Sequence, residues 1–238
     1  MKHQYFGDIN DYRKYGLLRL LAGVGDLRIG LAWMLTPDDD RADGGKIDYL
    51  DYPDRWRRSD PNLFDFLSGT VAKGSQRDLT TFENANLIPQ AVYHSDLLGD
   101  SHAERTNYMD SLMSRFNDLD LVFFDPDNGL EIRSRTIGRK GFSKYLAISE
   151  ATKVFGAGKS LLIYQHFGRV KREVYIPTQM ERLGLATGAA KIVALATSNV
   201  LFLFALQWDH TAAVRHSLRI LSERWPGQFK EASMTATS

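Results

Sequence analysis

Two clusters of polar residues carry the chemistry of this chain. In Leu121-Val-Phe-Phe-Asp-Pro-Asp-Asn-Gly-Leu-Glu131, four apolar residues run straight into three acids, an amide, a proline and a glycine. A carboxylate and an amide delivered together into a crevice, Asp125 with Asn128, are costly to hold unless they serve something. Two carboxylates, Asp125 with Asp127, can instead hold a divalent cation against a phosphoryl group. The same residues also suit a capped turn in which Asp125 and Asn128 bond to nearby backbone. The second cluster is Gly7-Asp-Ile-Asn-Asp-Tyr-Arg-Lys-Tyr15. Asp11, Lys14 and Tyr15 stand three or four apart and share a helical face. Tyr5, Phe6, Tyr12 and Tyr15 surround these charges, a heavier aromatic load than a solvated face needs.

These groups need elements to position them. The apolar run 121–124 reads as a strand buried on both faces, stopped by Pro126 and Gly129, with Asp125 at its carboxyl end. In open α/β sheets that edge is where ligands bind. Asn10 or Asp8 can cap a helix over residues 11–21, with Gly23 as its stop. Residues 27–35 read as a first buried strand ending in the polar turn Thr36-Pro37-Asp38-Asp39-Asp40. Residues 46–89 are less regular, an insertion or substrate-facing segment with a basic-aromatic stretch at 55–58 and a helix near 62–67. A strand at 90–94 follows, and Ser101 with Glu104 forms a capping box for a helix to about 116. Ser143 can cap a helix to 155. Residues 160–166 form a strand and 172–183 a helix. Runs 191–197 and 200–206 are two strands joined at hairpin length, so they are antiparallel. A last helix spans 211–225, and the tail beyond Pro226 looks loose. Strands alternating with helices imply one domain over residues 1–238: three-layer α/β, with a mostly parallel sheet and an antiparallel C-terminal edge hairpin.

Composition narrows the field. The 238 residues carry a net charge of +1, which gives no global pull towards polyanions or membranes. With no cysteine, thiolate nucleophiles, disulfides and Cys-ligated zinc are excluded. The six histidines form no His-Glu-x-x-His pattern. No apolar run reaches membrane-spanning length and no secretory signal is visible, so a cytoplasmic location is expected.

Gly7-Asp8-x-x-Asp11-x-x-Lys14-Tyr15 resembles the amino-terminal signature Gly-Asn-x-x-Asp-x-x-Lys-His of the bacterial 23S ribosomal RNA adenine-N6 methyltransferases. Asp125-Pro126-Asp127-Asn128 falls where that family carries Asp-Pro-Pro-Tyr, and Tyr93-His94-Ser95-Asp96 is more loosely similar to its segment after the second strand. The resemblance implies a Rossmann-like class I fold, S-adenosylmethionine (SAM) as cofactor and a nucleic-acid partner, RNA in particular. It makes Asp125 and Asn128 the residues that orient the target amine, and places Lys14, Tyr15, Thr36, Asp38 and Asp96 beside SAM. Asp127 and Asn128 replace the family's Pro and Tyr, so base stacking would pass to Phe142, Tyr145 or Phe167. Asp127, Lys140, Lys144, His166 and Arg169 are expected on the substrate side, with Arg55, Arg57 and Arg58 in a phosphate-binding rim. No metal is needed in this reading.

Two other readings stay open. Residues 122–130 also resemble the nucleophile motif of haloacid-dehalogenase phosphatases, in which Asp125 would attack phosphorus, Asp127 would act as general acid and Mg²⁺ would bridge the site. Gly7-Asp8-Ile9-Asn10-Asp11 is similar to their metal motif, although its place in the chain order requires a permutation. The third reading is a catalytically inactive Rossmann-like module that binds a nucleotide or partner.

Overall fold

A computed structural model describes residues 1–38, 45–71 and 77–232. Seven strands form one sheet in the order β2-β1-β3-β6-β8-β7-β9. They are β1 (Ile29–Ala32), β2 (Val92–His94), β3 (Leu121–Phe124), β6 (Ser160–His166), β7 (Lys191–Ala196), β8 (Val200–Leu206) and β9 (Lys230–Ala232). The pairs β1–β2, β1–β3 and β3–β6 are parallel, and β6–β8, β8–β7 and β7–β9 are antiparallel. Five strands therefore run one way, with β8 and β9 reversed. This is the mostly parallel α/β sheet that the alternation of elements implies. A short parallel pair, β4 (Gly129–Leu130) with β5 (Tyr145–Leu146), lies beyond the end of β3.

Helices cover both faces. Alternation along each central strand sends Leu121 and Phe123 into one core and Val122 and Phe124 into the other. All four are fully buried, each contributing roughly 1.5–3 kcal/mol by removal from water. The first core is closed by α1 (Ile9–Gly23), α3 (Pro61–Val71), α4 (Leu79–Asn84) and α8 (Thr211–Arg224), the second by α5 (His102–Arg115), α6 (Ile148–Gly156) and α7 (Arg172–Thr187). α2 (Pro53–Trp56) is a single turn. No helix among the described residues is long and apolar enough to cross a membrane.

Several boundaries differ from the sequence reading. Within 46–89, read as an insertion or substrate-facing segment, Leu63, Phe64, Leu67, Leu79, Phe82 and Ile88 belong to the core cluster that also holds residues of α1 and β1. Ser143 caps no helix. It lies in the 3-10 turn Phe142–Lys144 with its amide donating to Asp100, while α6 begins at Ile148 with Ala147 N donating to Glu150. β8 is interior rather than at the edge, inserted between β6 and β7. The edge is β9, built from residues 230–232 of the tail expected to be loose.

Candidate functional site

The chain leaves β1 towards β2 on one side and reaches β3 on the other, so the crevice between the carboxyl ends of β1 and β3 is the topological switch point. A cavity of about 480 Å³ opens there. Asp8, Asn10, Asp11 and Lys14 reach it from the start of α1, Asp125, Pro126, Asp127 and Asn128 from the turn after β3, and Tyr164 and His166 from the end of β6. Met1, Tyr5, Lys46 and Lys144 complete the wall.

Lys14 is the centre of the floor. Its Nζ lies 2.6 Å from Asp11 Oδ1 and 2.6 Å from Asp125 Oδ2, with both acids and the lysine nearly inaccessible. The rings of Tyr15, Trp33 and Tyr164 stand 5.2, 5.6 and 5.3 Å from the ammonium. Burial disfavours charge on Lys14, but Asp11 and Asp125 outweigh it and raise its pKa, so Lys14 is a fixed cation and not a nucleophile. Burial pushes Asp11 up to about 6 against the pull of Lys14. Asp11 also accepts from Tyr15 OH at 3.1 Å and Gly7 N at 2.9 Å. Lys14 donates to Oδ2 of Asp125.

The other side of the turn is tied to the amino terminus. The Met1 ammonium donates to Asp125 O at 2.9 Å and Met34 O at 3.2 Å, and pairs with Asp127 Oδ1 at 2.8 Å. Thr36 Oγ1 donates to the other Asp127 oxygen at 2.9 Å. Burial opposes ionisation of Asp127, yet the ammonium and Thr36 hold its carboxyl below the usual range. Desolvation lowers the His166 imidazole against the pull of Asp125, Asp127 and Asp8, and the residue lines the cavity.

Behind this wall Gln165 fixes the turn. It is buried, accepts from Leu130 N at 2.7 Å and donates to Asn128 O and Tyr175 OH. Gly129, at φ +104°, passes so close that a Cβ there would meet the Gln165 amide at 2.3 Å.

The expected site residues divide. Asp125, Asn128, Lys14, Asp127, Lys144 and His166 share the cavity. Tyr15 does not line it: the ring stacks on Phe82 at 3.9 Å and supports Asp11 from behind. Thr36 is buried and acts through Asp127. Asp38 lines a separate hollow with His3, Gln4, Arg77 and Asp78, and Asp96 is an exposed partner of His94. Asp39 and Asp40 lie outside the described residues. Lys140 and Arg169 are exposed outside the cavity. Arg57 is bound to Asp65 at 2.7 Å, Trp56 beside it is core, and Arg55, Arg57 and Arg58 do not reach the cavity, so they are not its rim. Phe142, Tyr145 and Phe167 do not line the cavity; Phe142 is buried against Arg105, and Phe167 packs against Arg172. Tyr5 and Tyr164 are the aromatics on the wall.

Among the described residues no group of three or more His, Cys, Asp or Glu side chains is placed to hold a metal ion. Comparison with protein-family models and with curated proteins finds no match to this chain.

Proposed function

We propose that the protein is a SAM-dependent methyltransferase acting on an amine of a nucleic-acid base, with RNA as the expected substrate. The observation that carries this reading is the coincidence of sheet order and motif. The parallel strands β2-β1-β3-β6 continued by the antiparallel pair β8–β7 are similar to the class I methyltransferase arrangement, with β9 added at the edge. Asp125-Pro126 stands at the switch point of that sheet, in the cavity that also receives the amino-terminal motif residues Asp11 and Lys14. The volume suits a small-molecule or single-nucleotide site.

In this reading Asp125 and the Asn128 side chain accept and orient the amine, and His166 offers an acceptor at the mouth. Holding the amine lone pair in line with the methyl group supplies much of the rate. Tyr5 or Tyr164 gives the base an aromatic wall, and Lys46 and Lys144 meet flanking phosphates. SAM supplies the electrophilic methyl group. The chemistry of the donor set fits its amino-acid end, because Met34 O, Asp125 O and Asp127 already hold an ammonium. The magnesium reading, which uses Asp125, Asp127 and Asp8, has less behind it: Asp125 already faces the Lys14 ammonium and Asp127 the Met1 ammonium.

The test is calorimetric titration with SAM, followed by transfer of labelled methyl groups to RNA. Asp125→Ala is expected to abolish transfer and leave SAM affinity within about tenfold, or 1.4 kcal/mol. Absence of SAM binding by the wild-type chain, with Mg²⁺ binding that disappears in both Asp125→Ala and Asp127→Ala, would replace this reading with phosphoryl transfer.

A further inference from the structure

Between β4 and β5 the chain makes a strap over residues 131–144. It carries Arg133, Arg135, Arg139, Lys140 and Lys144 against a single acid, Glu131, in a chain whose net charge is only +1. Glu131 is already matched by Arg182 of α7. Arg133, Arg135, Arg139 and Lys140 are exposed, and none has a carboxylate partner among the described residues. Other exposed cations are neutralised, as Arg28 is by Asp120, Lys153 by Asp110 and Arg219 by Glu223.

The strap is also pinned from beneath. The Asp100 carboxylate accepts from Gly141 N at 2.8 Å and Ser143 N at 2.6 Å, and its carbonyl accepts from Gly138 N at 2.9 Å. The buried Arg105 guanidinium donates to Tyr145 O at 2.9 Å, pairs with Glu150 and lies 4.7 Å from the Phe142 ring. Lys144 O accepts from Asn128 N at 2.8 Å, and the Lys144 side chain reaches the cavity wall. A charge run that only met solvent would need none of these anchors.

We infer that the strap 131–144 is a phosphate-binding surface, which receives the backbone of a folded RNA beside the nucleotide held in the cavity. Three of its four exposed cations are arginines, whose planar forks match phosphate oxygens in pairs. Phosphate contacts fix register and orientation without reading sequence. Lys144 links that register to the turn carrying Asn128. An anionic membrane is a poorer match, because the strap is no amphipathic helix and Ile132 is its one large exposed hydrophobic residue. RNA as the polyanion rests on the methyltransferase reading, whereas the basic surface does not.

The measurement is fluorescence anisotropy of a labelled RNA hairpin of arbitrary sequence, titrated with the full chain without SAM between about 50 and 200 mM salt. Combined Arg133→Ala, Arg135→Ala and Arg139→Ala should lower the salt-dependence slope by about 2–3, at roughly 0.7–0.9 per lost phosphate contact, and weaken binding at least about tenfold. Arg58, Arg215 and Arg224 are exposed outside the cavity, so their replacement by alanine removes the same charge and should leave the slope near wild type. Equal slopes for the two triple variants overturn the proposal. Asp100→Ala is a second test that removes no cation. Loss of an acid strengthens polyanion binding by charge alone, so binding weakened about threefold or more marks the lost preorganisation of the strap. Binding as tight as wild type or tighter sinks the idea. Strap-dependent RNA binding with no heat of SAM binding keeps the surface and removes the methyltransferase reading. Methyl transfer to RNA that the strap variant performs at the wild-type rate and affinity does the reverse. No RNA binding by the wild type, or binding instead to vesicles of anionic phospholipid that the strap variant loses, overturns the proposal.

Discussion

At the scale of single residues, the electrostatics of the site depend on Lys14. Two carboxylates approach within 2.6 Å of one nearly inaccessible ammonium at the floor of the cavity. Removing the ammonium leaves two buried acids facing each other, so Lys14→Ala should cost about 3–5 kcal/mol in chemical denaturation. A loss below about 1 kcal/mol would mean that water reaches the pair. Asp11 gives the site a pH signature. Its carboxyl is raised from 3.8 to about 6 by burial, against Lys14 and with reinforcement from Asp8 and Asp125. A raised folded pKa favours the protonated form, so this contribution to stability is full below about pH 4 and is lost as pH rises through about 6. The free-energy difference between the wild type and Asp11→Asn should therefore shift in favour of the variant between pH 4 and 7. A difference independent of pH would show that Asp11 is ionised throughout. The spacing of Asp11, Lys14 and Tyr15 was enough to place them together on one helix face. It could not say that Tyr15 turns to the aromatic layer, because Phe82, its stacking partner, lies 67 positions away.

At the scale of elements, apolar runs bounded by turn residues defined their strands well. β6 and β8 begin and end where the runs do. β9 has no such run: Lys230-Glu231-Ala232 is extended because the free edge of β7 offers it backbone partners, and that information lies in another segment. Helix packing was equally hidden. Gly16 lies in the middle of α1, where alanine would ordinarily favour a helix by roughly 1 kcal/mol. Here a Cβ would stand 2.1 Å from the indole of Trp225, at the end of α8. Gly16→Ala should therefore destabilise by about 1–3 kcal/mol in spite of its helix propensity. Trp225→Leu should relieve that penalty in a double-mutant cycle, and additive effects would show that the two helices can move apart.

At the scale of the molecule, the alternation of strands and helices was legible as a three-layer sheet, and with it the edge at which Asp125 must lie. The composition of the cavity was less legible, since Met1, Tyr5, Lys46 and Tyr164 are brought there by contacts across the whole chain. The charge arrangement is nested: acids and Lys14 form the floor, while Lys46 and Lys144 stand at the wall beside solvent. If RNA is the substrate, Lys144→Ala should weaken binding across sequences and lower the salt-dependence slope by about 1, as loss of one phosphate contact requires. Arg57→Ala should leave both unchanged, because Arg57 is committed to Asp65 away from the cavity. Equal effects of the two substitutions in filter binding would place the polyanion on a different face.

Trp33 lies directly behind the site, wholly buried, its indole N–H donating to Glu83 at 2.7 Å and its ring 5.6 Å from the Lys14 ammonium. Of the other three tryptophans, Trp56 and Trp225 are packed elsewhere in the same core and Trp208 is 82% exposed. The protein thus carries its own fluorophore. A cation beside an indole shifts the energy of its excited state, so any event that moves Lys14 changes the colour and yield of the Trp33 emission. With Trp56, Trp208 and Trp225 replaced by phenylalanine, the occupancy of the cavity becomes readable as light, in real time and without a label.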